Sequence, residues 1–384
     1  MRCEKRLWTS AVGWGERTPC LQDAGMVLYF GERDALASGE RHRELQAAYP
    51  QAHLLGCSTG GQIAGGDLLD EGVAAVAVRF ERTRLRLASV DVVGSGGSHA
   101  AGEALGHALK EDDLAGVFLL SDGLHVNGSR LVAGLAATLG TAVPLSGGLA
   151  GDGPHFRATL VGAGDEPPRQ KRVAAIGFYG RALRVGHGTG GGWERFGPSR
   201  LVTRSEGNLL FELDGVSALG LYERYLGDEA EGLPGTGLHY PLRVWGADKP
   251  QHDVVRTVLA VDKDARTMTF AGDIPQGSYA QLMHGHFGQL VSGATEAAHQ
   301  ALHGAPLAAG GAEHLAILIS CIGRRLAMGQ AITDEIAAAT AALPPGSMTT
   351  GFYSYGEIAP HAHSGICELH NQSMTITVLS EVVD

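Results

Sequence analysis

The chain has 384 residues, 44% hydrophobic and 18% charged, with 57 glycines and a formal net charge of −11. That length exceeds what one core usually organises, and an acidic surface with no basic patch excludes a nucleic-acid binder. No apolar run approaches the roughly 18 residues of a membrane span, and LWTSAVGWGER lacks a continuous apolar stretch, so no membrane contact and a cytoplasmic location are expected. The five cysteines stand apart without a C-x-x-C pair, which excludes thiolate zinc sites, ferredoxin-type clusters and a disulfide framework.

Residues 1–26 read as a polar N-terminal extension packed on the body through Trp8 and Trp14. VLYFG then opens a strand, and Leu36, Leu45 and Tyr49 recur at helical spacing, which predicts a helix from about Asp34 to Tyr49 ended by Pro50. HLLGCSTGGQI is a buried strand entering a glycine turn, followed by the strand VAAVAVRF. Cys57 invites a nucleophile reading, but no base partner is evident and a buried cysteine serves as a small apolar residue. GSGGSH precedes a helix at His99–Leu109. It resembles a phosphate-binding turn, but His99 stands where the dinucleotide fingerprint needs its last glycine.

GVFLLSDG, a helix at Ser129–Leu139, VPLSGGLAGDG and the strand FRATLVGAG repeat the same grammar. Ser121, Asp122 and His125 lie too close in sequence for a hydrolase triad. Asp122 and Asn127 read as turn formers and Ser129 as a helix N-cap. RVAAIGFYGRALRV is a strand pair leading to GHGTGG, which fits G-x-G-x-x-G in letters, yet Trp193, Phe196 and Pro198 follow where a helix should begin. Two readings stay open for His187. It is either a turn histidine or the single nitrogen donor of a pocket, with Gly186 and Gly188 admitting a guest to the backbone and Trp193 six positions on.

Pro- and Gly-rich sequence after LLFELDG places a domain boundary near Asp214, giving domains at 27–214 and 215–384. The second holds the helix VSALGLYERYLG, a hairpin turning at Lys263–Ala265, and the helix HFGQLVSGATEAAHQAL with small residues on one face. His284-Gly-His286 and His361-Ala-His363, with Cys367 and His370 nearby, raise a metal site, although no evenly spaced fourth ligand is evident. LAILISCIGR, a helix at Thr333–Leu343, GFYSYGEI and SMTITVL complete a third copy of the unit. The fold expected is α/β (mixed α+β), with glycine-rich strand–helix–strand repeats forming mixed sheets covered by helices.

GCSTGGQI, SDGLHVNGS, SGGLAGDG, TRSEGNLLFELDG, SCIGRR, GFYSYGEIAP and ELHNQSMTITVL, in this order, resemble the motifs of FIST proteins, sensory domain pairs of signalling systems. The resemblance covers about Val27 to Leu379. It implies a non-enzymatic sensor, similar to FIST proteins that bind haem, respond to nitric oxide and act on a partner histidine kinase or cyclic-di-GMP enzyme. Without C-x-x-C-H the haem would be non-covalent, with His187 as the axial iron ligand, Gly186, Gly188 and Trp193 around it, and His125, His155 and His370 in reserve. The alternative is a haem-free FIST receptor for a small metabolite such as an amino acid, with Asp122, Asn127, Asp152 and Glu357 as polar contacts where the glycine turns converge. An enzyme using Cys57 or the Ser121 region and a pure interaction module are the remaining alternatives, and self-association is left open.

Overall fold

The computed structural model describes residues 1–15, 18–94, 97–248, 252–304, 313–362 and 364–382. Three units of one topology build the body. The first contains β1 (Arg2–Trp8), β2 (Met26–Gly31), α1 (Arg33–Ala37), α2 (Glu40–Ala48), β3 (His53–Ser58), β4 (Gln62–Ala64), β5 (Asp67–Leu69) and β6 (Val73–Arg79). The second contains β7 (Arg84–Asp91), α3 (Gly97–Leu109), β8 (Leu114–Ser121), α4 (Gly128–Leu139), β9 (Leu145–Leu149), β10 (Val161–Ala163), β11 (Glu166–Arg169) and β12 (Arg172–Tyr179). The third opens with β13 (Leu183–Gly190), where an insert interrupts it. The insert comprises β14 (Glu194–Glu206), β15 (Leu209–Leu213), β16 (Val216–Ser217), α5 (Ala218–Leu226), β17 (Leu242–Trp245), β18 (Asp253–Arg256), β19 (Val258–Asp262), β20 (Thr267–Phe270) and β21 (Tyr279–His284). The third unit resumes with α6 (Phe287–Gly304), β22 (Leu315–Cys321), α7 (Ile322–Met328), α8 (Ile332–Ala341), β23 (Met348–Ser354), β24 (Gly356–Pro360), β25 (Cys367–His370) and β26 (Met374–Glu381).

Each unit contributes four strands to its own sheet and gives its short hairpin to a neighbour. The sheets run β1-β6-β2-β3-β10-β11, β7-β12-β8-β9-β24-β25 and β13-β26-β22-β23-β4-β5, so the exchange is cyclic and closes a three-membered ring. In every sheet a parallel pair (β2/β3, β8/β9, β22/β23) sits beside an antiparallel strand from the end of the unit. Three equivalent backbone hydrogen bonds tie the units in sequence: Gly60 N to Tyr353 O (2.8 Å), Gly151 N to Ser58 O (2.9 Å) and Tyr355 N to Leu149 O (3.1 Å). The central strands of each sheet are near-continuous buried runs because both their faces are covered. Their inward faces share one core containing Met26, Phe30, Phe118, Ile176, Ile317 and Phe352, with the Phe30 and Phe352 rings stacked at 4.7 Å. The Glu381 carboxylate binds the turn after β6, accepting from Glu81 N, Arg82 N and Thr83 N at 2.7–2.8 Å.

Several sequence expectations are corrected by this geometry. The helix expected over 34–49 is two helices, since Gly39 takes φ 68° between them, a conformation that breaks the helical ladder. The closing strand of the second unit is β12, and within FRATLVGAG only Val161–Ala163 is a strand, donated to β3 of the first sheet. The cap of α4 is Asn127, whose side chain accepts from Arg130 N, so Ser129 lies inside the helix. Residues 2–8 form an edge strand of the first sheet paired to β6, and Trp8 and Trp14 pack on the core beneath α1 and α2. Apart from these corrections, Asp214, where the sequence places the domain boundary, lies in the turn between β15 and β16, within an insert that has its own core of Val202, Leu213, Tyr222, Leu242, Met268 and Phe270. Two short crossings, at 190–194 and 284–287, join insert to body.

Candidate ligand-binding cleft

GHGTG is the second half of β13, and the period-two rule explains its glycines. Those at 186, 188 and 190 share the face under α6. A Cβ on Gly188 would stand 1.8 Å from Ala297 O, and one on Gly190 would stand 1.9 Å from Gly293 O. The approaching atoms are therefore a helix, whose small-residue stripe (Gly293, Ala294, Ala297, Ala298, Ala301) meets the glycine face. His187 points the other way, between the second and third sheets, into a small hollow of about 10 Å³ lined by Val117, Phe118, Ser146, Phe178, Val185 and Thr377. Its Nδ1 is 3.4 Å from Thr377 Oγ1, its Nε2 is buried without a partner, and burial pushes its pKa down to about 4. A hollow of that size holds one water. A neutral buried imidazole would suit iron, but a macrocycle has no room, so the residues around His187 do not fit a haem. Trp193 is not part of this lining. Its ring lies against Gly285 at the insert crossing, and its Nε1 donates to Gln372 O at 2.7 Å.

The other sequence candidates do not converge. His155 is exposed, and His125 lies on Asp122 with Nδ1 3.1 Å from Oδ2. Ser121 Oγ donates to Asp122 O, so it does not meet His125 as a triad would require. Asp122 and Asp152 are saturated by loop N–H groups, Thr159 and Tyr355. Cys57 is sealed in the core, and burial raises its thiol well above the ordinary range. Among the described residues no group of three or more His, Cys, Asp or Glu side chains is arranged to hold a metal ion, and His363 lies outside the described residues.

Glu357 is fully buried, and burial pushes its pKa up to about 8 although Ser354 Oγ (2.7 Å) and Ser373 Oγ (2.8 Å) donate to it. The folded chain holds a proton there that the unfolded chain, with a carboxyl near 4.5, releases. Stability should fall as pH rises from about 4.5 to about 8. Unfolding midpoints measured from pH 5 to 9 should show this decline and a flatter profile for Glu357→Gln, whereas parallel profiles would mean that Glu357 is ionised in the fold.

A ligand-sized space lies elsewhere. A cleft of about 430 Å³ opens between the body (α4 and β25) and the insert (β17, β18 and the Asp273–Ser278 loop). Val132, Ala133, Val244, Val254, Ile366 and Leu369 supply apolar walls, and Ser129, Trp245, His252, Arg256, Asp273 and Glu368 supply polar or aromatic groups. This volume and mixture match small-molecule sites. Insert and body touch around it through His252 Nε2 donating to Glu368 Oε1 (2.7 Å), Arg256 Nη1 donating to Leu369 O (2.9 Å) and Asn127 Nδ2 donating to Asp273 Oδ1 (2.8 Å). The His252 ring also stacks on His361 at 4.7 Å. Asn127 alone of the four expected polar contacts reaches a residue of the cleft.

The body is thus a ring of three α/β units carrying an insert, with a ligand-sized cleft between ring and insert. The FIST N domain model matches residues 25–216 and the FIST C domain model matches 218–360, so the chain belongs to the FIST family, whose domains are ligand-binding sensors of signal transduction. No curated protein matches the chain. Among solved structures it is similar to a cyanuric acid hydrolase from A. caulinodans at 10% identity and a TM-score of 0.35, over 100% of this chain and 99% of that one. A likeness at that level carries neither fold nor activity across. No helix among the described residues is long and apolar enough to cross a membrane.

Proposed function

We propose that this FIST protein is a haem-free receptor for a small metabolite, which it holds in the cleft between insert and body. The observation that carries this reading is the contrast in free volume: about 430 Å³ at the cleft against about 10 Å³ at His187. A ligand there touches α4 and β25 on one side and β17 and β18 on the other, so occupancy biases how the insert sits on the ring. A partner signalling protein, such as a histidine kinase, that contacts both parts would read that bias.

Thermal stability measured against a metabolite panel tests this, because a ligand binding only the native state raises the melting temperature. At least one compound should raise it, Ala133→Trp on the cleft wall should abolish the rise, and His187→Ala should leave it intact. A panel without effect, together with haemin binding whose Soret band is lost in His187→Ala, would overturn the proposal.

A further inference from the structure

The core of the insert opens at one end onto a face of rings. Phe196 is 38% exposed, and its ring meets those of Tyr225 (centroids 6.3 Å apart), Tyr240 (5.9 Å) and His284 (6.3 Å), while Tyr240 and His284 are 5.1 Å apart. His284 meets His286 edge-on at 4.9 Å, and Phe287, 52% exposed, follows at the start of α6. The rings gather because β14 pairs with β21, placing Glu194 opposite His284 and Phe196 opposite Leu282. Leu282 belongs to the insert core, so Phe196 emerges on the core side of the sheet, at its lip, where the partly buried Tyr225 and Tyr240 also pack. Aromatic rings left exposed in one contiguous group mark a surface that another molecule covers.

Carboxylates rim this face. Glu194 lies on the Phe196 side of β14, and the turn Gly227–Gly232 carries Asp228, Glu229 and Glu231, all exposed. Burial and the nearby Glu229 charge hold the Tyr240 hydroxyl above its ordinary range, which puts that carboxylate beside the rings. Burial, His286 and His239 hold His284 below its ordinary range, with Glu229 and Glu194 opposing, so its ring is neutral at pH 7. Arg195 lies on the opposite side of β14, and Arg200 is taken by Asp214 (2.9 Å) and the Tyr225 hydroxyl (2.7 Å). Arg224 is exposed on the last turn of α5. The face therefore combines open ring surfaces with an excess of carboxylates.

We infer that this face docks a partner protein through a basic segment, whose arginine or lysine side chains lie over the Phe196 and Tyr240 rings and reach the Glu194 and Glu229 carboxylates. A cation over an aromatic ring with a carboxylate within reach gains from both, and arginine does so most readily because its planar group stacks. Phe196 follows the first crossing and Phe287 closes the second, so a segment docked between them touches insert and body together. Docking here does not depend on what fills the cleft, so it goes beyond the receptor reading and is measured on the chain without a metabolite.

The test is fluorescence anisotropy of the full chain with labelled peptides of one leucine–alanine pattern whose variable positions are arginine, lysine, glutamine or glutamate. Salt is held at about 0.15 M, where exposed charges more than roughly 8 Å apart are screened. The arginine and lysine peptides should bind, and the glutamine and glutamate peptides should not. Phe196→Ala and Glu229→Gln should each weaken binding by about tenfold, the effect of truncating an interface anchor. Glu229 is exposed, so its variant should keep the fold and its melting temperature, and a loss of binding there does not come from unfolding. Asp112→Asn, at an exposed carboxylate of the body beyond α3, should change nothing. Docking at this face is overturned if no peptide binds, if the glutamine peptide binds as tightly as the arginine peptide, or if Phe196→Ala or Glu229→Gln has no effect. It is also overturned if Asp112→Asn weakens binding as much as Glu229→Gln, which would mean diffuse attraction to an acidic chain. Spermidine displacing the arginine peptide at equal concentration would overturn it as well, by showing a site for small cations. Each of these outcomes leaves the metabolite panel as it stands, and a panel without effect leaves peptide binding as it stands.

Discussion

Gly147→Ala should cost the fold more than about 3 kcal/mol, the sum expected from a strained backbone and an overpacked strand pair. Gly147 takes φ 143° opposite Leu119 in the parallel pair β8/β9, and a Cβ there would lie 1.8 Å from Leu119 O. Gly351 repeats the arrangement against Leu318 O at 1.8 Å in β22/β23, and Gly56 repeats it against Tyr29 O at 2.4 Å in β2/β3. The same strand position in all three units thus forbids a side chain. Gly140→Ala is the control, since that glycine has φ 80° but open space around it, and its cost should stay near 1 kcal/mol. Urea unfolding of both variants measures the difference, and equal losses would mean that the parallel pairing does not hold at Gly147.

Arg324→Leu should be comparably damaging, by about 3–5 kcal/mol, because it strands a buried carboxylate. Arg324 and Glu335 are both fully buried, with Nε 2.6 Å from Oε1, and Ser320 Oγ and Tyr353 OH each donate to Oε2 at 3.0 Å. The remaining guanidinium edge donates to Leu290 O (2.7 Å) and Gln372 O (3.2 Å), which ties α6 and the turn before β26 to α7. The double variant Arg324→Leu/Glu335→Leu should recover part of the loss, since no lone charge remains inside. Additive losses in a double-mutant cycle would show instead that the two side chains act independently.

The threefold plan was legible because it is written in local chemistry. Apolar runs of six to eight residues, amphipathic or small-residue helices and glycines at strand crossings mark each unit, and the glycines are where two backbones touch. The hairpin exchange was not legible. Val161–Ala163 looks like the start of a closing strand, and only its pairing to Cys57, Gly56 and Leu55 of the first sheet shows it to be a donated arm. The glycines around His187 misled for a related reason: alternate glycines on a strand signal close approach without saying what approaches, and here it is Ala297 and Gly293 of α6. Arg256 left one clue, a cation beside the apolar positions of DVVRTVLAV, where it shares a face with Val254. One of its carbonyl partners, Leu369, and the α4 wall of the cleft come from segments more than a hundred residues away in the sequence, which no local pattern reports.

Hydrogen exchange on the chain saturated with a stabilising compound tests the location of the ligand most directly. Protection should rise in α4 around residues 129–136, in β17 and β18, and across 366–369, with β13 and the facing residues of β26 unchanged. New protection confined to Val185–Thr189 and Thr377, with none at the cleft, would contradict the cleft as the seat and return the ligand to His187.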